Sequence, residues 1–242
     1  DNATITVNAS GQNDAPTAAN NTVTTNEDTD HTFDASEFGF TDVDGDSLDH
    51  ISIETLPSNG TLLLGGSAVT LGQNIPLADI STLVFRPVAD ENGSGYDSFT
   101  FSVNDGTVDS GTYTMTVDVT PVNDAPTAVD DTDSVKVSNT VTDLTNGAGS
   151  VISDDTDPDS DPLTVGAISF GGGAPFVVST GTDRTNGTSI PGTFGTLTIG
   201  ADGTYSYQAG SSAGSDVFTY ILSDGNGGTD TATLTFTSTP NN

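Results

Sequence analysis

The chain has 242 residues, with 34 Asp plus Glu against 3 Lys plus Arg, a formal net charge of −31 and no cysteine. Such a surface repels nucleic acid and anionic lipid, and without cysteine there are no disulfides, thiolate metal ligands or thiol nucleophiles. Like charge at this density opposes compaction, yet apolar residues recur with a strand period throughout; a divalent cation would reconcile the two.

No apolar run is long enough to span a bilayer, and no basic-then-apolar leader opens the sequence. The abrupt, strand-like start reads as a piece of a longer secreted protein. "TITVNASGQNDAP" at the start lines up with "TMTVDVTPVNDAP" further on, so residues 1–12 read as the last strand of a preceding repeat. "NDAPTA" then occupies residues 13–18 and returns, letter for letter, at residues 123–128, 110 residues further on. A domain-sized period predicts tandem repeats, one over residues 13–122 and a second over 123–242.

Along the first repeat, "TNEDTD" reads as a turn carrying Glu27, and "TDVDGDSL" as a loop carrying Asp42, Asp44 and Asp46. Strands are expected over residues 50–56, 60–65 and 81–88, with one helical turn at "PLADIS". "VADENGSGY" brings Asp90 and Glu91, ahead of two alternating runs that put Phe99, Phe101 and Val103, then Tyr113, Met115, Val117 and Val119, on single faces. Period two with one apolar face predicts antiparallel sheet packed on one side. Asp105 falls in the "NDG" turn between those runs.

The second repeat writes the same text with variations. "TDPDSDPL" carries Asp157, Asp159 and Asp161, and strands are expected over residues 162–169 and 175–180. A polar stretch over residues 170–195 is longer than a plain hairpin needs. Residues 195–208 read as a hairpin turning at Asp202-Gly203, and Asp224 sits in an "SDG" turn between "DVFTYILSDG" and "TATLTFT". Convincing helical periodicity is lacking. The pattern predicts an all-β chain of two tandem Greek-key β-sandwiches, about seven strands each.

Three acidic signatures thus recur in each period: the hexapeptide (Asn13-Asp14, Asn123-Asp124), the D-x-D-x-D loop, and the D-G turn. Alternating carboxylates in a short loop aim several hard oxygens at one locus, which suits Ca²⁺. A lone loop of this kind is equally a solvated turn, since Asp and Gly are common there; its coincidence with two further acidic loops, twice over, favours the metal. In a Greek-key sandwich these three segments share one pole. Glu27 and Asp90-Glu91 belong to the opposite pole of the first domain, which would face Asn123-Asp124 and place cations in the seam between the repeats.

Other signals are weaker. "GDSL" at residues 45–48 spells a hydrolase signature, but that chemistry needs a D-x-x-H downstream of the serine, and here "DTDH" precedes Ser47. The loop from Asp42 fails as an EF-hand, with Ser47 sixth and Ile53 twelfth. His31 and His50 read as surface or strand residues, and nothing specific supports an isopeptide at Lys136. The 170–195 stretch is either a floppy insertion or a binding loop on a rigid scaffold; with no Trp and 5 Tyr, the chain has few aromatic platforms for a glycan.

The residues resemble the cadherin-like repeats of large bacterial surface adhesins. The first repeat is similar to tandem "NDAP" repeats. The second resembles the Vibrio–Colwellia–Bradyrhizobium–Shewanella repeat, on "DDTDPDSDPLTV" and "FGTLTIGADGTYSYQ…DVFTYILSDGNGGTDTATLTF". The resemblance implies cadherin/Ig-like seven-stranded sandwiches and interdomain Ca²⁺ stiffening an extracellular stalk for adhesion or biofilm formation, without enzymatic activity. It implies that Asn13, Asp14, Asp42, Asp44 and Asp105 serve an upper site, with Asp46 in the same loop. A lower site would take Glu27 and Asp90 or Glu91, completed by Asn123, Asp124, Asp157, Asp159 and Asp224, with Asp161 beside them. "QAGSSAGSD" in the second repeat has no acid matching Asp90-Glu91. The implied partners are neighbouring repeats and a cell-surface glycan or protein, with no nucleic acid and no membrane insertion. A carbohydrate-binding module using the second domain is the alternative reading.

Overall fold

The computed structural model describes residues 11–142 and 149–241. The chain divides into two units, Asp1–Val122 and Asn123–Asn242. The strand expected over residues 1–12 lies outside the described residues, apart from residues 11 and 12.

The described strands of the first unit are β1 (Asn21–Asn26), β2 (His31–Thr32), β3 (His50–Thr55), β4 (Gly60–Leu64), β5 (Ser67–Ala68), β6 (Asn74–Pro76), β7 (Leu83–Pro87), β8 (Gly93–Asn104) and β9 (Tyr113–Thr120). They form one sheet in the order β1-β9-β8-β3-β6 and a second in the order β2-β7-β4-β5. Inward positions of the two sheets meet in a core rich in aromatic rings. Phe33 stands edge-on to Phe99 at 5.6 Å and Phe38 edge-on to Phe101 at 4.9 Å, the arrangement ring quadrupoles favour. Phe38 is delivered by a 3₁₀ turn, Ala35–Phe38, whose lead residue Asp34 accepts the Ser36 N–H while Glu37 reaches back to the Asp34 N–H. This reciprocal capping fixes the turn's start. The turn expected at "PLADIS" is a second 3₁₀ segment, Leu77–Thr82, burying Ile80.

In the second unit the described strands are β10 (Asp131–Lys136), β11 (Thr140–Val141), β12 (Thr164–Phe170), β13 (Phe176–Val177), β14 (Thr188–Pro191), β15 (Gly195–Ile199), β16 (Tyr205–Ala209), β17 (Gly214–Ser223) and β18 (Thr229–Thr239). Their sheets run β10-β18-β17-β12-β13 and β11-β16-β15-β14. Seven strands in each unit correspond by position; the other two in each are short edge strands. Those edges come from different stretches of chain: β5 and β6 follow β4 in the first unit, whereas β13 and β14 precede β15 in the second. The second unit's core centres on Tyr207, stacked on Phe236 at 4.1 Å and 3°.

The expected antiparallel pairing holds for β8 with β9 and for β17 with β18; the strands flanking them, β1 and β10, carried no expectation. β1 pairs with β9, and β10 with β18, in parallel. Period-two burial reports that one face is covered, not which way the neighbouring strand runs. The strand expected over residues 175–180 is only Phe176–Val177. Beyond it Val178 donates to the Gly166 carbonyl and turns inward, 3% exposed. The 170–195 stretch is not a floppy insertion: Thr182 accepts the Ala201 N–H at 3.0 Å, and the Arg184 N–H reaches Thr204 Oγ1 at 2.9 Å, tying it to the β15–β16 turn.

Candidate metal centre

In the first unit the D-x-D-x-D loop folds on its leading acid. Asp42 Oδ1 accepts the N–H groups of Asp44 (2.8 Å) and Asp46 (3.1 Å), closing an Asx-type turn. Gly45, at φ +86°, lets the chain reverse there. The hexapeptide is stitched to this loop and to the D-G turn. The Asp14 N–H donates to Asp44 Oδ2 at 2.7 Å, and Asn13 Nδ2 to Asp105 Oδ2 at 2.9 Å. Asp105 Oδ1 takes the Thr107 and Val108 N–H groups at 2.7 and 2.8 Å. The Asn13 amide, backed by those backbone donors, holds the Asp105 carboxyl below the usual carboxylate range. Asn13, Asp14, Asp42, Asp44, Asp46 and Asp105 are therefore gathered in one place, with Asp49 packed beside the turn at Gly106.

The second unit repeats the arrangement almost bond for bond. Asp157 Oδ1 accepts the Asp161 N–H at 3.1 Å, the Asp124 N–H donates to Asp159 Oδ2 at 2.8 Å, and Asn123 Nδ2 to Asp224 Oδ2 at 2.8 Å. Asp224 Oδ1 is cradled by the N–H groups of Asn226, Gly227 and Gly228 at 2.7, 3.0 and 3.0 Å. The Asn123 amide is the main influence pulling the Asp224 carboxyl down. Asn226, which the sequence reading passed over, donates to Asp161 Oδ2 at 2.6 Å; the only sequence signal for it is the extra "NGG" after the D-G turn.

Each loop presents three carboxylate oxygens, from Asp42, Asp44 and Asp46 or from Asp157, Asp159 and Asp161, all within 4.8 Å of one another. Calcium–oxygen distances of about 2.3–2.6 Å put oxygens on opposite sides of one ion about 5 Å apart, so either trio fits around one cation. Oδ2 of Asp42 and Oδ2 of Asp157, at matching positions, are each shut off from solvent without a hydrogen-bond partner. A buried carboxylate oxygen without a donor is costly, and a hard cation would satisfy it.

At the turn after β1, Glu27 is 2% exposed. Its Oε1 accepts the Val122 N–H at 2.5 Å and its Oε2 the Asn92 amide at 3.0 Å. Asp90, at φ +58°, donates its N–H to Asp28 Oδ1 at 3.3 Å. Asp28 and Asn92 are thus additional members of this cluster. Glu91 is drawn aside, its Oε2 accepting the Tyr96 hydroxyl at 2.8 Å. Elsewhere His31 pairs with Glu37 (3.3 Å) and His50 with Asp49 (2.8 Å). Lys136 donates to the Pro240 carbonyl at 3.1 Å. No helix among the described residues is long and apolar enough to cross a membrane.

A curated relative, "Integrin beta-like protein A" of Dictyostelium discoideum, is 30% identical over 115 residues; the match takes in 47% of this chain and 6% of that protein. Among solved structures, human CDH23 EC21-23 superposes with a TM-score of 0.51 at 12% identity, covering 93% of this chain and 70% of that one. Mouse Cadherin-23 EC22-24 gives 0.44 at 12% identity, covering 94% and 67%. At these identities the likeness shows the fold alone. Domains of the bacterial cadherin-like and Ig types are usually extracellular and typically serve as non-enzymatic structural modules, and cadherin-like domains generally bind Ca²⁺. Residues 13–120 match the bacterial Ig domain and residues 123–240 the bacterial cadherin-like domain, so the first unit is of the bacterial Ig type and the second of the bacterial cadherin-like type, a pairing consistent with bacterial cadherin-like tandem repeats.

Proposed function

We propose that the chain is a calcium-binding extension module of a bacterial cell-surface adhesin, serving cell adhesion or biofilm formation. The observation that carries the calcium reading is the pair of sealed, partnerless oxygens, Asp42 Oδ2 and Asp157 Oδ2, at equivalent places in both units. Two independent copies of one uncompensated buried carboxylate oxygen call for one compensating ligand type, and the surrounding donors are all hard oxygens. Stiffening of the tandem by those ions rests on the sequence, where each repeat opens on the same Asn-Asp-Ala-Pro. Neighbouring repeats of the same protein would be the first partners.

Calorimetric Ca²⁺ titration of the full chain tests this. The wild type should release or absorb heat with an affinity near 10⁻⁴–10⁻³ M, the range of extracellular calcium modules. Asp42→Asn and Asp157→Asn should each weaken binding at one locus at least about tenfold, the scale expected for a lost ligand or its support. Absence of a binding isotherm at millimolar Ca²⁺ would sink the reading.

A further inference from the structure

Strand β10 turns three side chains inward, and two are acids: Asp131 and Asp133 are 4% and 6% exposed, ahead of Val135. Its counterpart β1 turns in Val23 and Thr25. The pairing registers Asn21↔Met115 and Asp131↔Leu234 make Asn21 the equivalent of Asp131. By the same registers Tyr220 stands where the first unit has Phe101. Asp155 precedes Thr156 as Phe40 precedes Thr41, each threonine bridging the hexapeptide of its own repeat. The fold is therefore built once with Asn21, Phe40 and Phe101 and once with Asp131, Asp155 and Tyr220. It does not need acids there.

Around the Tyr220 hydroxyl the acceptors outnumber the protons. Its oxygen lies 2.9 Å from the Val129 carbonyl, 3.4 Å from Asp131 Oδ2, 3.3 Å from both Asp155 oxygens and 3.4 Å from the Val151 carbonyl. Tyr220 brings one O–H, and Asp155 Oδ1 has one further donor, the Val129 N–H at 2.7 Å. The charged groups acting on Asp131 are Asp130 from its own segment and Asp154 and Asp155 from the loop ahead of β12. Asp230, at the start of β18, adds its charge at Asp155. All are acids. Two carboxylates and a phenol in a closed space with one hydroxyl proton require another proton.

We propose that Asp131 is a pH-operated latch of the second unit. Protonated, its carboxylic O–H supplies the Tyr220 oxygen with a donor, while Tyr220 donates onward to the Val129 carbonyl or to Asp155. Deprotonated, Asp131 places a negative charge in the interior beside the buried Asp155, with the exposed Asp154 close by, and loosens the lead-in from the hexapeptide to β10. The proton is exchanged with solvent, and no bond other than O–H is made or broken.

Burial, reinforced by the charges of Asp154 and Asp155, raises the Asp131 carboxyl from 3.8 to about 7. A carboxylate raised on folding binds its proton more tightly in the folded chain. Its contribution is therefore favourable in acid and is lost as pH climbs from about 4 through about 7, with stability falling along that interval.

The test uses the full chain in EGTA, so that no divalent ion intervenes. The Asp131 side-chain carboxyl is followed by carbon-detected NMR, and thermal unfolding of the second unit by its resolved amide signals, from about pH 4.5 to 8. The expected results are a carboxyl midpoint well above the ordinary carboxylate value and a melting temperature that falls with pH. Asp131→Asn should abolish that fall and keep the acid-side melting temperature. An ordinary midpoint overturns the proposal, whether or not Asp131→Asn folds. So does an unchanged slope in Asp131→Asn, or a midpoint that shifts with Na⁺ concentration, which would make the compensating charge a bound cation instead of a proton.

Discussion

At Ser160 the backbone takes φ +62°, at the position where the first unit has Gly45 at φ +86°. A side chain in the left-handed region costs roughly 1–2 kcal/mol, partly offset because serine has less freedom than glycine to lose on folding. Ser160→Gly should therefore stabilise the second unit by about 0.5–1 kcal/mol, and Gly45→Ser should destabilise the first by a similar amount. Thermal unfolding in EGTA reads both; a destabilised Ser160→Gly would mean that the hydroxyl carries an unrecognised contact. The sequence displayed the alternating carboxylates at this loop plainly. It did not display which oxygen of Asp42 or Asp157 ends up sealed, because that depends on side-chain burial and on the donors contributed by segments far away in the chain.

Elements are tied together in both units by one buried acid at the start of the long aromatic strand. Asp97, 8% exposed, accepts the N–H groups of Ser58 and Asn59 at 3.1 and 2.7 Å, pinning the connection from β3 to β4 onto β8. Asp216, 1% exposed, does the same in the second unit for the Thr193 and Phe194 N–H groups at 2.8 and 3.0 Å, and also takes the Tyr207 hydroxyl at 2.7 Å. Asp216→Ala strands these donors in the interior and should cost about 3 kcal/mol or more, measured as a lower urea midpoint at unchanged slope; a cost under about 1 kcal/mol would show that water replaces the carboxylate. The same junction explains the glycine that opens β4 and β15. A Cβ at Gly60 would lie 2.3 Å from the Phe85 ring and one at Gly195 2.4 Å from the Tyr207 ring. Gly195→Ala should therefore destabilise the second unit by about 1–3 kcal/mol through overpacking.

Strand detection from sequence followed apolar alternation, so it found β8, β9, β17 and β18 and the β15–β16 hairpin, where phenylalanine, tyrosine and aliphatic residues mark the inward face. It could not find β10, because two of that strand's three inward positions are aspartates. Nor could it assign the direction of β1 against β9, since the alternation is the same for either direction. The edge strands β5 and β6 were equally hidden: two- or three-residue pairings are created by the neighbouring strand and have no period of their own.

For the whole molecule, at a net charge of −31, the proposed cation uptake would couple to the mechanical state of the tandem. If ions neutralise the acidic ends of the repeats, small-angle scattering of the full chain should show a larger maximum dimension in millimolar Ca²⁺ than in EGTA. An unchanged dimension would count against the stiffening. A glycan array separates the carbohydrate reading from this one, because glycan binding that survives chelation would belong to the second unit itself and not to its metal.

The sequence by itself determined the repeat period, the all-β class and the three acidic segments of each repeat, because periodicity and local turn chemistry are properties of neighbouring residues. Only the tertiary structure decided that Asn13 meets Asp105 and Asn123 meets Asp224, that Glu91 turns away to Tyr96, and that Asp131 and Asp155 close around Tyr220. Each of those contacts joins residues brought together by sheet pairing, and the burial that fixes their charge exists only once the two sheets have closed on one another.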